Sequence, residues 1–268
     1  MKTIVITGST RGIGLGLARE FLKRGCNVML SGRNKDTLDS ALEALGSEFG
    51  SGCMFGTTCD VAVYESVQAL WDAAAAKFGA IDIWINNAGV NTASVPLWEL
   101  PARDISAVVS TNLTGTLFGC KVALQCMLRQ GSGQIYLFEG HGSDDRKVEG
   151  LALYGATKRA VRYLCESLQL DVQGKPVQIG AISPGIVLTD LILNQLKAAP
   201  KEKREKNIKI FNILADTVET VTPWLAEQVL ANTRPAARIA WLTPSKVMGR
   251  FLTAGFKKRN LFKDMSFE

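Results

Sequence analysis

The chain has 268 residues, of which 47% are hydrophobic, 21% charged and 7% aromatic; this is globular composition and excludes a disordered or collagen-like chain. Its 31 basic and 25 acidic residues give a formal charge of +6, which favours an anionic partner without separating nucleotide, membrane surface and nucleic acid. The only histidine is His141 and no Cys/His pair has zinc-site spacing, so neither a metal centre nor a serine-protease-like triad is expected.

Six scattered cysteines without a C-x-x-C pair are expected to be reduced and buried. No apolar stretch approaches the ~18 residues that cross a bilayer, and Met1-Lys2 runs directly into a strand. The chain as written is therefore expected to be soluble and cytoplasmic. No Pro/Ser-rich linker divides it, so residues 1–268 are expected to form a single domain.

Thr3 to Ile6 is a short β-branched run ending in Thr7-Gly8, after which Ile13, Leu17, Phe21 and Leu22 recur at helical spacing. Val28-Met29-Leu30 predicts a second strand and Leu38, Ala41, Leu42 and Leu45 a second helix. Further strands are predicted at Met54 to Thr57, Ile81 to Ile85, Ile135 to Phe138 and Val177 to Ile182, with helices near 64–78, 102–129 and 152–173. Such alternation predicts an α/β fold with a doubly wound, Rossmann-like parallel sheet, because parallel neighbours need right-handed crossovers. Beyond Pro184 it weakens into a helix at 187–198, a basic segment at 201–209, a helix near 223–231 and an apolar C-terminal region. The segment 190–235 follows a strand end, where open sheets bind ligands, and is expected to be a substrate lid.

Thr7-Gly8-Ser9-Thr10-Arg11-Gly12-Ile13-Gly14 lies where strand becomes helix, so close backbone approach and a helix N-terminus are offered to a pyrophosphate. The second strand ends Leu30-Ser31-Gly32-Arg33, with Gly32 where an NAD enzyme usually places a ribose-binding carboxylate. Arg33 can fork to a 2′-phosphate and Arg11 can add a second cation, so NADP(H) is the expected cofactor.

Together with Asp60-Val61, Asn86-Asn87-Ala88-Gly89, Asn112, Tyr154-x-x-x-Lys158 and Ser183-Pro184-Gly185, this turn resembles the short-chain dehydrogenase/reductase family over about residues 3–190. The resemblance implies that Asp60, with Val61, meets the adenine ring and that Asn87, Ala88 and Gly89 shape the cofactor floor. It further implies that Pro184, Gly185, Val187 and Thr189 form the nicotinamide end, and that the protein is a homo-oligomer. Tyr154 and Lys158, four residues apart on a helix, share a face, and an ammonium beside a phenol lowers its pKa from about 10. Tyr154 is thus the expected general acid for a carbonyl oxygen. By resemblance the hydride comes from NADPH, Lys158 also holds the nicotinamide ribose and Asn112 places a relay water. Asn112-Leu113-Thr114 also matches a glycosylation acceptor, set aside for want of a secretory signal.

One departure concerns the substrate-orienting serine that the family carries some thirteen residues before the tyrosine. Here the segment reads Phe138-Glu139-Gly140-His141-Gly142-Ser143-Asp144. His141 has the spacing and Ser143 lies nearby; both can donate to a carbonyl oxygen, and Ser143 is favoured.

Gly56 to Val61, Ile81 to Gly89, Gly142-Ser143-Asp144, Tyr154 to Arg159, Asn212 to Asp216 and Trp241 to Pro244 resemble the chlorophyll b reductase branch. That resemblance implies reduction of the C7 formyl group of chlorophyll(ide) b, a plastid or thylakoid-associated setting where a transit sequence has been removed, and a hydrophobic carbonyl substrate. Trp98, Val187, Leu188, Leu191, Ile192, Phe211 and Trp224 are candidates for an apolar cleft, with helix packing as their alternative fate. The competing readings are a generic NADPH-dependent carbonyl reductase or alcohol dehydrogenase and a non-catalytic NADPH-sensing scaffold. The segment Lys201 to Lys206 with Lys209 is read first as a solvated, salt-bridged helix face and second as a peripheral membrane contact. No aromatic-interleaved basic strand points to nucleic acid.

Overall fold

The computed structural model describes residues 1–256 and 258–263; Lys257, which the sequence places in a terminal basic cluster, lies outside them, as does the end of the expected domain. The chain alternates β1 (Thr3–Ile6), α1 (Gly12–Lys23), β2 (Asn27–Gly32), α2 (Lys35–Phe49), β3 (Met54–Thr58), α3 (Tyr64–Phe78) and β4 (Ile83–Asn86). It continues through α4 (Ala102–Val109), α5 (Gly115–Gln130), β5 (Gly133–Phe138), α6 (Ala152–Asp171), β6 (Val177–Ser183), β7 (Val187–Leu188) and α7 (Asp190–Ala198). The final elements are α8 (Lys201–Leu214), β8 (Asp216–Thr217), α9 (Val218–Ala231), β9 (Arg238–Ala240) and α10 (Pro244–Thr253).

Seven strands form one sheet in the order β3-β2-β1-β4-β5-β6-β9, and all of its pairings are parallel. Side chains alternate across it. Ile4, Ile6, Val28 and Leu30 join α1, α2 and α9 on one face, while Val5, Met29 and Trp84 join α3, α5 and α6 on the other. With both faces covered, β1 is buried along its whole length, which accounts for its unbroken apolar run. The sequence therefore shows the doubly wound α/β fold correctly.

Several local expectations need correction. Residues 187–188 are a strand, not the start of a helix, because Val187 and Leu188 pair with Asp216 and Thr217. Helix α9 begins at Val218, five residues before the expected start near 223, and runs through Pro223. Val218 and Thr222 pack so closely on Gly16 of α1 that a Cβ there would lie 2.4 Å from Val218 Cγ1. Its buried Val221, Leu225 and Val229 make α9 a core helix, so only α7 and α8 of the 190–235 segment stand beyond the sheet. The expected absence of a long apolar helix also fails. Ala102–Gln130, continuous through a π-turn at Ser110–Thr114, is long and apolar enough to cross a membrane by length and composition, but half of its most apolar window is packed inside the protein. All six cysteines are free as expected, although Cys53 is only half-buried.

Asp216 ties the C-terminal segment to this frame. Its buried carboxylate accepts from Trp241 Nε1 at 2.7 Å, Arg250 Nη2 at 2.7 Å and Arg259 Nη2 at 2.8 Å. The same two arginines donate to the Leu214, Ile213 and Ala215 carbonyls at the end of α8. A buried carboxylate facing two guanidiniums satisfies its oxygens while leaving one excess positive charge.

The same substitution should have opposite signs at two helical glycines. Gly16→Ala should destabilise by about 1–3 kcal/mol through overpacking against α9, whereas Gly46→Ala in α2, where no atom lies within 4 Å, should stabilise by about 0.5–1 kcal/mol. Urea midpoints of the two variants measure this, and equal shifts would contradict the packing.

Candidate active site

The sheet reverses its direction of growth between β1 and β4, and the turns leaving their carboxyl ends are bound to each other. Thr7 Oγ1 accepts from the Asn87 and Ala88 amides at 3.0 and 3.1 Å, and Asn87 Nδ2 donates to the Thr7 and Gly8 carbonyls at 2.9 and 2.8 Å. Gly8 has φ +63° and a Cβ on it would lie 2.9 Å from Ala88 Cα, so only glycine fits. Ser9 is fully buried and holds the turn from below: its hydroxyl donates to Ile6 O and accepts from Ser31 N. No side chain caps α1, so the amides of its first turn, which begins with Gly12 and Ile13 after Thr10 and Arg11, are left without a side-chain acceptor, an arrangement that suits an anion.

The flanking candidates take different positions. Gly32 is needed because a Cβ there would meet the Thr10 methyl at 2.6 Å, and Arg33 beyond it is exposed. Arg11 is exposed too, but pairs with Asp190 of α7 at 3.6 Å, so its charge is shared with that helix. Asp60 caps its own turn by accepting from Ala62 N at 3.0 Å, while Val61 and Val187 are buried among core side chains. Thr189, before α7, lies across from Gly12, whose added Cβ would stand 3.3 Å from the Thr189 methyl. Pro184 and Gly185 form the turn between β6 and β7.

Tyr154 and Lys158 share one face of α6, beneath the end of β5. A Cβ on Gly140 would lie 2.7 Å from the Tyr154 hydroxyl and 3.1 Å from Lys158 Cγ, so the glycine keeps this corner open. Lys158 Nζ donates to Phe138 O at 3.0 Å and sits 5.8 Å from the Tyr154 ring centroid. Burial pushes the phenol up to about 12 and the ammonium down to about 8, with Glu139 opposing the latter. The depression expected from sequence is thus reversed, since desolvation by burial dominates both groups. A phenol held neutral is a competent proton donor to a carbonyl oxygen.

Asn112 is fully buried in the π-turn, and its amide is engaged on both sides. It accepts from Val90 N at 2.8 Å and donates to Val90 O at 2.9 Å and to Thr157 Oγ1 at 3.2 Å, fastening the loop after β4 to α6. Ser143 also differs from its expected role. It is 2% exposed, accepts from Gly140 N and donates to Lys158 O, so its hydroxyl staples the loop to α6 and has no donor left for a substrate. His141 Nε2, by contrast, is the one buried side-chain polar atom without a hydrogen bond among the described residues.

The family profile described as short chain dehydrogenase matches residues 2–220. The chain belongs to the short-chain dehydrogenase family. It is therefore an NAD(P)-dependent oxidoreductase by family, with the α/β sheet of that family. It is 40% identical over 256 residues to chlorophyll(ide) b reductase NOL of Arabidopsis thaliana, covering 93% of this chain and 70% of that protein. It is 33% identical to the probable chlorophyll(ide) b reductase NYC1 of the same plant, spanning 98% of this chain but only 55% of the relative. Both relatives are named as chloroplastic. Among solved structures it superposes on levodione reductase with a TM-score of 0.80 at 23% identity, covering 91% and 97% of the two chains. The NADP-bound structure of ElxO gives 0.76 at 27% identity, covering 89% and 97%.

Within this short-chain dehydrogenase, the cleft expected from sequence is only partly assembled. Leu191, Ile192 and Phe211 are half-buried on α7 and α8, which cross to the loop after β4 through Gln195 Nε2 to Ser94 Oγ at 2.6 Å and Lys203 Nζ to Ser94 O at 3.5 Å. Trp98 is 84% exposed, whereas Trp224 packs edge-on against Trp241 in the core, so neither lines that space. A cavity of about 510 Å³ beside Gln169, Lys175 and Pro235 lies at the opposite end of β6 and shares none of these residues.

Sequence reasoning passed over Glu139. It is 4% exposed at the end of β5 and receives a forked contact from Arg238 at 2.7 and 2.9 Å, with Arg162 at 4.0 Å. Its isolated position in an apolar strand end was the available signal. Because its charge opposes the burial that lowers Lys158, kcat/KM for carbonyl reduction should fall as Lys158 loses its proton above about pH 8. Glu139→Gln should move that limb to lower pH, and an unmoved limb would contradict the coupling.

Proposed function

We propose that this chain is an NADP(H)-dependent reductase of a hydrophobic aldehyde, converting the C7 formyl of chlorophyll(ide) b to the hydroxymethyl group. The observation that carries the reading is the 40% identity to a chlorophyll(ide) b reductase over 256 residues, 93% of this chain, which extends past the nucleotide-binding half into residues beyond 190. Bound in the crevice between β1 and β4, a nicotinamide nucleotide supplies the hydride. The uncapped amides of α1 would hold its pyrophosphate, and Arg33, with no carboxylate at Gly32, would hold a 2′-phosphate.

Tyr154 donates its proton to the carbonyl oxygen. Lys158, positioned by Phe138 O, keeps a positive charge beside that donor and meets the nicotinamide ribose, while Asn112 maintains the spacing between the loop after β4 and α6. Leu191, Ile192 and Phe211 would exclude water from a large planar substrate. Exposed Tyr163 and Leu170 on α6 and Leu117 and Leu128 on α5 support a homo-oligomer assembled through those helices. Named chloroplastic relatives support a plastid setting.

Two measurements test the reading. Chlorophyllide b incubated with NADPH should yield the 7-hydroxymethyl product by chromatography with wild type and not with Tyr154→Phe, which should still bind NADPH. Turnover of simple aldehydes without any pigment product would move the substrate to another carbonyl compound, and full activity of Tyr154→Phe would remove the proton-donor role. Separately, Arg33→Ala should weaken NADPH roughly 10- to 100-fold while leaving NADH unchanged, the size of one lost charge-assisted contact. An equal effect on both nucleotides would contradict the 2′-phosphate assignment.

A further inference from the structure

The positive charge of this protein is concentrated at one end of the chain. Residues 1–227 hold 23 basic and 23 acidic side chains, so the net charge of +6 belongs to the last 41 residues. Between Glu227 and Asp264 there are eight basic residues and no acidic one. Arg250 and Arg259 are paired with Asp216, and Lys246 lies over the Trp241 ring, whereas Lys258 and Lys263 are exposed.

An apolar surface occupies the same place. Met248, Phe251 and Leu252 on α10 and Phe256 in the turn after it are 63%, 51%, 73% and 93% exposed. Offsets of three and four residues put Phe251 and Leu252 on the same face of α10 as Met248, and Phe256 follows in the turn beyond the helix. No large apolar side chain of α10 is buried, so this helix is held by the Asp216 ion pairs and by packing on α8 and not by its own apolar stripe.

We infer that the outer face of α10 docks on an anionic lipid surface. Met248, Phe251, Leu252 and Phe256 enter the headgroup layer, and Lys258 and Lys263 meet lipid phosphates. Apolar residues flanked by uncompensated cations are the combination that holds interfacial helices. A second copy of the chain fits this face poorly. Its cations would meet their own copies, and one side of a helix about 15 Å long and 10 Å wide falls far short of the ~800 Å² per partner of a stable interface. Exposed Lys201, Lys206 and Lys209 on the adjoining α8 extend the positive field, diluted there by Glu202 and Glu205. Because Asp216 joins α10 to the end of α8, docking brings the lid beside the lipid. This placement rests on exposure and charge and does not require the pigment substrate.

The test is sedimentation of the full chain with phosphatidylcholine vesicles, with and without phosphatidylglycerol, at low and high salt. Wild type should sediment with the anionic vesicles only and be released by salt. Phe251→Ser combined with Leu252→Ser should reduce binding at least about tenfold while its melting temperature and NADPH binding stay unchanged, and Lys258→Glu with Lys263→Glu should do the same. Failure of wild type to bind anionic vesicles overturns the proposal, as does undiminished binding by both double variants. A dimer lost in the serine variant by sedimentation velocity would assign the face to a second copy and also overturn it.

Discussion

The contact between the turns that leave β1 and β4 is the constraint on which the rest of the site depends. Two strands that are neighbours in the sheet but far apart in sequence must diverge there, because their crossover helices go to opposite faces. Thr7 and Asn87 close the gap with reciprocal side-chain hydrogen bonds, and Gly8 permits the backbone approach. The fastening holds the crevice floor rigid while the amides at the start of α1 stay free, and it aligns β4 so that the following loop reaches Asn112. Asn112 then bridges to Thr157, three residues beyond Tyr154 on α6. The β1–β4 crevice and the Tyr154 helix are thus joined through one connected set of side-chain hydrogen bonds.

Two buried carboxylates divide the remaining electrostatic work. Glu139 lies behind Lys158, and its charge offsets part of the desolvation that favours a neutral amine, while Arg238 from the edge strand β9 satisfies its oxygens. Asp216 joins the two-stranded β7–β8 element to the C-terminal segment. The first supports the charge state of Lys158, and the second fixes the C-terminal end of α8.

The sheet was legible in the sequence because parallel strands buried on both faces leave continuous apolar runs, as in Thr3 to Ile6. Spacing alone also put Tyr154 and Lys158 on one helical face. What escaped were features that depend on neighbours distant in sequence. The first turn of α9, from Val218, packs on Gly16 of α1, a contact between residues far apart in the chain, and the helix begins earlier than the expected 223. Ser143 carries the right hydroxyl near the right position, yet Gly140 N and Lys158 O occupy it, and only folding reveals that competition. The sign of the Tyr154 shift likewise follows from desolvation by burial, which a four-residue spacing does not contain.

The most direct test of this account is a fluorescence titration of NADPH against Gly8→Ala, alongside thermal melting of the same variant. An added methyl group that meets Ala88 in a left-handed backbone position should spread the two turns and weaken NADPH at least a hundredfold, with the sheet still folded. Wild-type affinity in a folded Gly8→Ala protein would show that the nucleotide does not depend on the β1–β4 fastening, and the site would have to be placed elsewhere.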